Sequence, residues 1–141
     1  MIGVTRAIIL RDKHLLAAQR PESMSLALKW ELPGGKTEPG ESFADCLIRE
    51  TYEELRLDIV GGDALPVFER AFRDKVYCIR PYLCTVLGGE MQVMEHKQAI
   101  WQPLDRIFEL DWGPAEVRVL EHWMQPAAVS ASKNTSKLRI A

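Results

Sequence analysis

Long apolar runs are missing from this sequence. Near the N-terminus the longest, Ala7 to Leu10 and Leu15 to Ala18, are separated by Arg11, Asp12 and Lys13. They are too short for a signal peptide's apolar region or a bilayer-spanning helix. Cysteine is scarce as well: Cys46, Cys78 and Cys84 are an odd number with no Cys-x-x-Cys pair. That argues against a disulfide framework or a thiolate zinc site and fits a reducing cytoplasm. No charge of one sign dominates, since the formal net charge is -2 with both signs scattered along the chain. The basic stripe with which a nucleic-acid binder neutralises phosphates is therefore absent. Neither a membrane nor a nucleic-acid polymer is expected as a partner. A small phosphorylated ligand stays open, because divalent metal held by carboxylates reverses the local sign of an acidic protein.

The chain has 141 residues, 47% of them hydrophobic, which suits one globular domain around a single core. From Pro126 the composition turns to Ser, Lys, Asn and Thr, so the domain is expected over 1–125 and a mobile tail over 126–141. Val4 to Leu10 and His14 to Ala18 flank Arg11-Asp12-Lys13 as a predicted hairpin. Trp30-Glu31-Leu32 predicts a short strand running into the turn Pro33-Gly34-Gly35. Val67 to Phe72 and Val76 to Thr85 predict a second hairpin, with Pro81 marking an edge or a bulge. Ala99 to Gln102 predicts one more strand, and Pro114 to Met124 a helix with Val117, Leu120 and Met124 on its apolar side. Strands and helices in this order point to a mixed sheet covered by helices, of the α/β class.

Ser42 with Asp45 is a capping signature ahead of a helix predicted over Phe43 to Leu55. At about 100° per residue, Phe43, Leu47, Ile48, Tyr52 and Leu55 fall on one side, and Glu50, Glu53 and Glu54 gather on another. Three carboxylates so close repel one another unless a cation sits over them, and a hard divalent ion with oxygen ligands would remove that loss. An exposed Glu-rich helix face is usually only solvated surface. The neighbours change the odds: the glycines before it, Glu41 at the helix entrance, and Arg49, able to hold a carboxylate through a bidentate ion pair.

The segment from Gly35 through Glu41, Arg49-Glu50 and Glu53-Glu54 to Leu57 resembles the Nudix box, G-x5-E-x7-R-E-U-x-E-E-x-G-U. Two positions depart from it: Thr51 replaces an aliphatic residue, and Arg56 replaces the glycine that ends the helix. Either the helix runs on or Arg56 is strained. The stretches Leu15 to Pro21 and Trp30 to Lys36 also look like the MutT-type branch.

The resemblance implies a Nudix-type α/β/α sandwich with a loop-helix-loop catalytic segment, and Mg²⁺ or Mn²⁺ as cofactor. By position, Glu50, Glu53, Glu54 and the Gly34 carbonyl become metal ligands, with Glu50, Glu53, Arg49 and Glu95 in catalytic roles and Glu41 supporting the box. Arg20, Gly35 and Lys36 are implied on phosphate, with Phe72 and Glu116 around the base. Glu116, as a pure acceptor, would favour cytosine and guanine-type bases over thymine and uracil. His96 is taken as a loop residue. The implied activity is that of a Mg-dependent nucleoside triphosphate pyrophosphohydrolase releasing monophosphate and pyrophosphate, with substrates such as 8-oxo-dGTP or 5-modified dCTP. Two alternatives stand beside it: hydrolysis of another nucleoside diphosphate-linked compound such as an NDP-sugar, and a non-catalytic nucleotide-binding module. A monomer or homodimer is expected.

Overall fold

The first hairpin forms where the charged break predicts it, and its two strands then part company. In the computed structural model, which describes residues 1–124, β1 (Ile2–Arg11) and β2 (His14–Gln19) pair only at Leu10 with Leu15 and Arg11 with His14. Asp12 and Lys13 form the turn with positive φ, 50° and 61°, as the tightest hairpin turns require. Beyond the turn β1 runs parallel to β6 (Lys75–Gly88), while β2 pairs antiparallel with β3 (Trp30–Glu31) and β7 (Gln98–Pro103). β4 (Asp58–Ala64) and β5 (Phe68–Phe72) both pair with β6, completing a mixed seven-stranded sheet.

Alternation along β1 sends side chains to both faces of this sheet. Ala7 and Ile9 meet Leu47 and Leu55 of α1 (Phe43–Leu55). Ile8 instead joins Leu32, Trp112 and, from α2 (Pro114–Met124), Val119 and Leu120. The expected α/β/α sandwich is therefore formed, with α1 bounded as the sequence predicts. No helix among the described residues is long and apolar enough to cross a membrane. The tail expected over 126–141 lies outside the described residues.

Several local expectations need correction. Ile48 and Tyr52 are not on the buried side of α1; they are 44% and 46% exposed, and Cys46, Thr51 and Glu54 are buried in their place. The helix is rolled so that one carboxylate goes inside. On α2, Met124 is exposed and Glu116 is buried. Pro81 is neither exposed nor at an edge: it lies in β6 between β1 and the point where β4 pairing gives way to β5 pairing, and its carbonyl accepts from the Leu65 N–H. A strand lacking one N–H is tolerated where its partner changes. β4 went unpredicted because Gly61 and Gly62 dilute its pattern. The helix does not run on past Leu55: Arg56 takes the left-handed conformation, φ 58° and ψ 27°, and donates its N–H to the Tyr52 carbonyl.

Candidate active site

The turn after β3 lies along β1, with the Ala7 N–H donating to the Pro33 carbonyl at 2.8 Å and the Thr5 N–H to the Gly35 carbonyl at 2.9 Å. Gly34 has φ 143°, and a Cβ there would stand 2.1 Å from the Thr5 carbonyl oxygen, so only glycine fits. On the other side of the same turn the Glu50 carboxylate rests against Gly35. The Gly34 N–H donates to Glu54 Oε1 at 3.3 Å. Two box glutamates thus converge on one glycine turn.

Arg49 organises the opposite flank. Its Nε and Nη2 donate to the two oxygens of Glu41 at 2.7 and 2.9 Å, the bidentate pair expected. Its Nη1 reaches Glu53 at 3.1 Å and Glu50 at 3.4 Å, and its Nη2 also reaches the Lys36 carbonyl at 3.2 Å. The paired Arg49 guanidinium holds the Glu41 carboxyl down at about 2. Arg49 therefore ties the helix entrance to the helix body, and Glu53 turns toward it, half-exposed, rather than toward the glycines.

A cleft of about 320 Å³ opens over the glycine turn. Arg20, Gly34, Gly35, Lys36, Glu50, Glu54, Phe72, Glu95 and Glu116 all line it; Glu41, Arg49 and Glu53 do not. The loop carrying Glu95 is fastened to the end of α1 by the Met94 N–H on the Glu54 carbonyl and the Gln92 N–H on the Leu55 carbonyl. Burial pushes Glu54 well above the usual carboxylate range, and the nearby charges of Glu31 and Glu50 add to it. Glu50 is raised by partial burial and by Glu53 and Glu95, against the pull of Arg49. Lys36 makes no ion pair among the described residues and lies over the Tyr77 ring at 5.8 Å. Arg20 is committed elsewhere than phosphate, donating to the Ser25 carbonyl at 2.7 Å, to Glu31 at 3.0 Å and to Ser25 Oγ at 3.3 Å. Phe72 is exposed, and the guanidinium groups of Arg70 and Arg73 lie over its ring at 5.4 and 5.2 Å.

Three cleft residues were missed or undervalued. Arg6 pairs with Glu116 at 2.7 Å. Glu31 accepts from both Arg20 and His96, the latter at 2.7 Å. Despite burial, the His96 bond and the charges of Arg6 and Arg20 hold Glu31 below the usual carboxylate range. His96 is a buried member of the site rather than a plain loop residue, and its Nδ1 is buried without a partner among the described residues. A sequence signal existed for Arg6, a charge set inside an apolar strand. Glu31 carried none beyond its place in the strand before the glycines.

In the arrangement described, no three His, Cys, Asp or Glu side chains stand close enough together to hold a metal ion among the described residues. The donor chemistry nevertheless suits a hard divalent cation. Glu54 is buried with one backbone N–H as its hydrogen-bond donor among the described residues, and Glu50 lies on the neighbouring glycine.

A mixed sheet between two helices, with a loop-helix-loop that sets two glutamates on a glycine turn beside a cleft, is the architecture of a hydrolase of the Nudix class. The chain belongs to the Nudix family: the NUDIX domain matches residues 1–136. It is 33% identical to the CTP pyrophosphohydrolase of Escherichia coli (strain K12) over 124 residues, covering 88% of this chain and 92% of that protein. It is 35% identical to the putative 8-oxo-dGTP diphosphatase 2 of Mycobacterium tuberculosis over 117 residues, 80% of this chain and 81% of that one. The crystal structure of a MutT Nudix hydrolase from Burkholderia pseudomallei superimposes with a TM-score of 0.76 at 26% identity, covering 85% of this chain and 95% of that one.

Proposed function

We propose that the protein is a Mg²⁺-dependent nucleoside triphosphate pyrophosphohydrolase that releases nucleoside monophosphate and pyrophosphate. The observation that carries this reading is the meeting of Glu50 and Glu54 on the Gly34-Gly35 turn inside the cleft. Relatives named for CTP and 8-oxo-dGTP support a nucleotide as the substrate. Modified nucleotides such as 8-oxo-dGTP or 5-modified dCTP belong to the same expectation.

Glu50 and Glu54 would hold the metal, with the Gly34 carbonyl and Glu53 completing the protein's share if the cation's charge draws Glu53 from Arg49. When bound, a divalent ion supplies charge neutralisation at the phosphates and a water of lowered pKa. The side chains do the positioning. Arg49, anchored on Glu41, fixes the rotamers of Glu50 and Glu53. Glu95, held on its loop beside Glu50, accepts a proton from the attacking water. Lys36, free of carboxylate partners among the described residues, reaches the phosphate chain, and Phe72 gives the base an apolar face. Arg20 reaches phosphate only by leaving Ser25, so in the arrangement described it shapes the cleft wall through Glu31.

Phosphate release across common and oxidised nucleotides, coupled to pyrophosphatase and run with Mg²⁺ and with excess chelator, tests this. Turnover of triphosphates that needs both the metal and the coupling enzyme is expected. Direct release of inorganic phosphate without pyrophosphatase would contradict it.

A further inference from the structure

Arg6 is the one charged residue in the β1 stretch Val4 to Leu10. Its Nε donates to Glu116 Oε2 at 2.7 Å and its Nη1 to the Thr5 carbonyl at 3.0 Å. The same Glu116 oxygen accepts from the Leu32 N–H at 3.4 Å. Two backbone groups thus fix both members of the pair. One atom of each is uncommitted among the described residues: Arg6 Nη2, a donor, and Glu116 Oε1, an acceptor. Both residues line the cleft, and neither of these atoms is fully shut off from solvent.

An ion pair in this position is a poor way to stabilise a strand. Removing a guanidinium and a carboxylate from water costs more than an apolar pair of the same volume would, unless something uses the charges. The uncommitted donor and acceptor are what a ligand would use.

We propose that Arg6 is a base-binding residue which, together with Glu116, presents a fixed donor beside a fixed acceptor to the edge of a nucleobase. This rests on the reading of the cleft as a nucleotide site. A matching edge carries an acceptor next to a donor, as do N3 and the amine of cytosine or O6 and N1–H of guanine. The edges of thymine and uracil, a carbonyl beside N3–H, match as well. Arg6 therefore relaxes the preference that Glu116 alone, as a pure acceptor, would impose.

The test compares wild type, Arg6→Met and Arg6→Lys in Mg²⁺ on CTP, dGTP and dTTP, and on ribose 5-triphosphate, which has no base. Leaving a buried polar partner unmatched is worth about tenfold or more in a rate or binding constant. Arg6→Met is expected to lower kcat/KM for the nucleotides by about that factor relative to ribose 5-triphosphate, chiefly through KM. Arg6→Lys, which keeps a donor without the planar fork, should fall between. Because Arg6→Met strands a buried carboxylate, the double variant Arg6→Met/Glu116→Leu is measured alongside and should lose at least as large a ratio. Equal losses on nucleotides and ribose 5-triphosphate would make Arg6 a support of the fold and overturn the proposal, as would an unaltered ratio in both variants. A wild-type protein that turns over no nucleoside triphosphate would overturn the nucleotide reading itself, and this proposal with it.

Discussion

The carboxylate of Glu50 occupies the space that a side chain on Gly35 would need: a Cβ there would sit 2.4 Å from Glu50 Cδ and 2.5 Å from its Oε2. The clash is with the far end of a flexible side chain, so Gly35→Ala should move Glu50 and leave the backbone in place. A displacement of about 1 Å at a reacting centre costs on the order of a hundredfold in rate. We expect that loss in kcat with the urea midpoint of unfolding little changed; unaltered turnover would detach Glu50 from the chemistry.

Arg56 holds a left-handed conformation at the end of α1, which costs a residue with a Cβ roughly 1–2 kcal/mol. Part of that is offset where its guanidinium donates to the Tyr52 carbonyl at 3.2 Å and lies over the Tyr52 ring. Arg56→Gly should therefore raise stability by about 1 kcal/mol in urea titration, since glycine ends helices in this conformation without strain. A loss of stability would show that the Tyr52 contacts outweigh the backbone cost.

Thr51 is fully buried and its Oγ1 has no hydrogen-bond partner among the described residues. Thr51→Val restores the apolar residue of the box pattern and removes a stranded hydroxyl, a change of about 1–2 kcal/mol in favour of the folded state. Chemical denaturation with and without metal measures it, and a destabilised variant would mean that the hydroxyl is satisfied in solution.

What the sequence could disclose was local. Ser42, Pro33-Gly34-Gly35 and the spacing of the glutamates were enough to place α1 and the glycine turn, because caps, turns and helical period act over a few residues. The rotation of α1 was not legible: Ile48 and Tyr52 are as apolar as Cys46 and Thr51, and only the shape of the sheet surface decides which pair goes inside. Nor was the Arg6–Glu116 pair, whose partners meet only because β1 and α2 border the same cleft. Pro81 misled because a proline looks like an edge residue until the change of partner from β4 to β5 is known.

Glu41 sets an acid-side dependence. Its folded-state pKa of about 2 lies below the ordinary carboxylate value of 4.5 because Arg49 and the Glu38 N–H bind the ionised form. Such a group adds stability that is present above 4.5 and is lost as pH falls toward 2. Glu41→Gln should therefore make the fall in urea midpoint between these pH values shallower and lower the midpoint at neutral pH. Parallel curves for the two proteins would show that the Arg49–Glu41 pair is already broken in solution.

Glu54 is a buried carboxylate beside Glu31 and Glu50, and its ionised form is costly without a cation. The direct measurement is the steady-state hydrolysis of CTP and dGTP by wild type and Glu54→Gln in Mg²⁺, with thermal unfolding of both proteins in excess chelator. We predict a kcat lowered by several orders of magnitude in Glu54→Gln, while the metal-free variant unfolds at the same temperature as wild type or slightly higher, because a self-repelling buried charge has been removed. Near wild-type turnover by Glu54→Gln in Mg²⁺ would contradict the assignment of this glycine turn and helix as the catalytic centre.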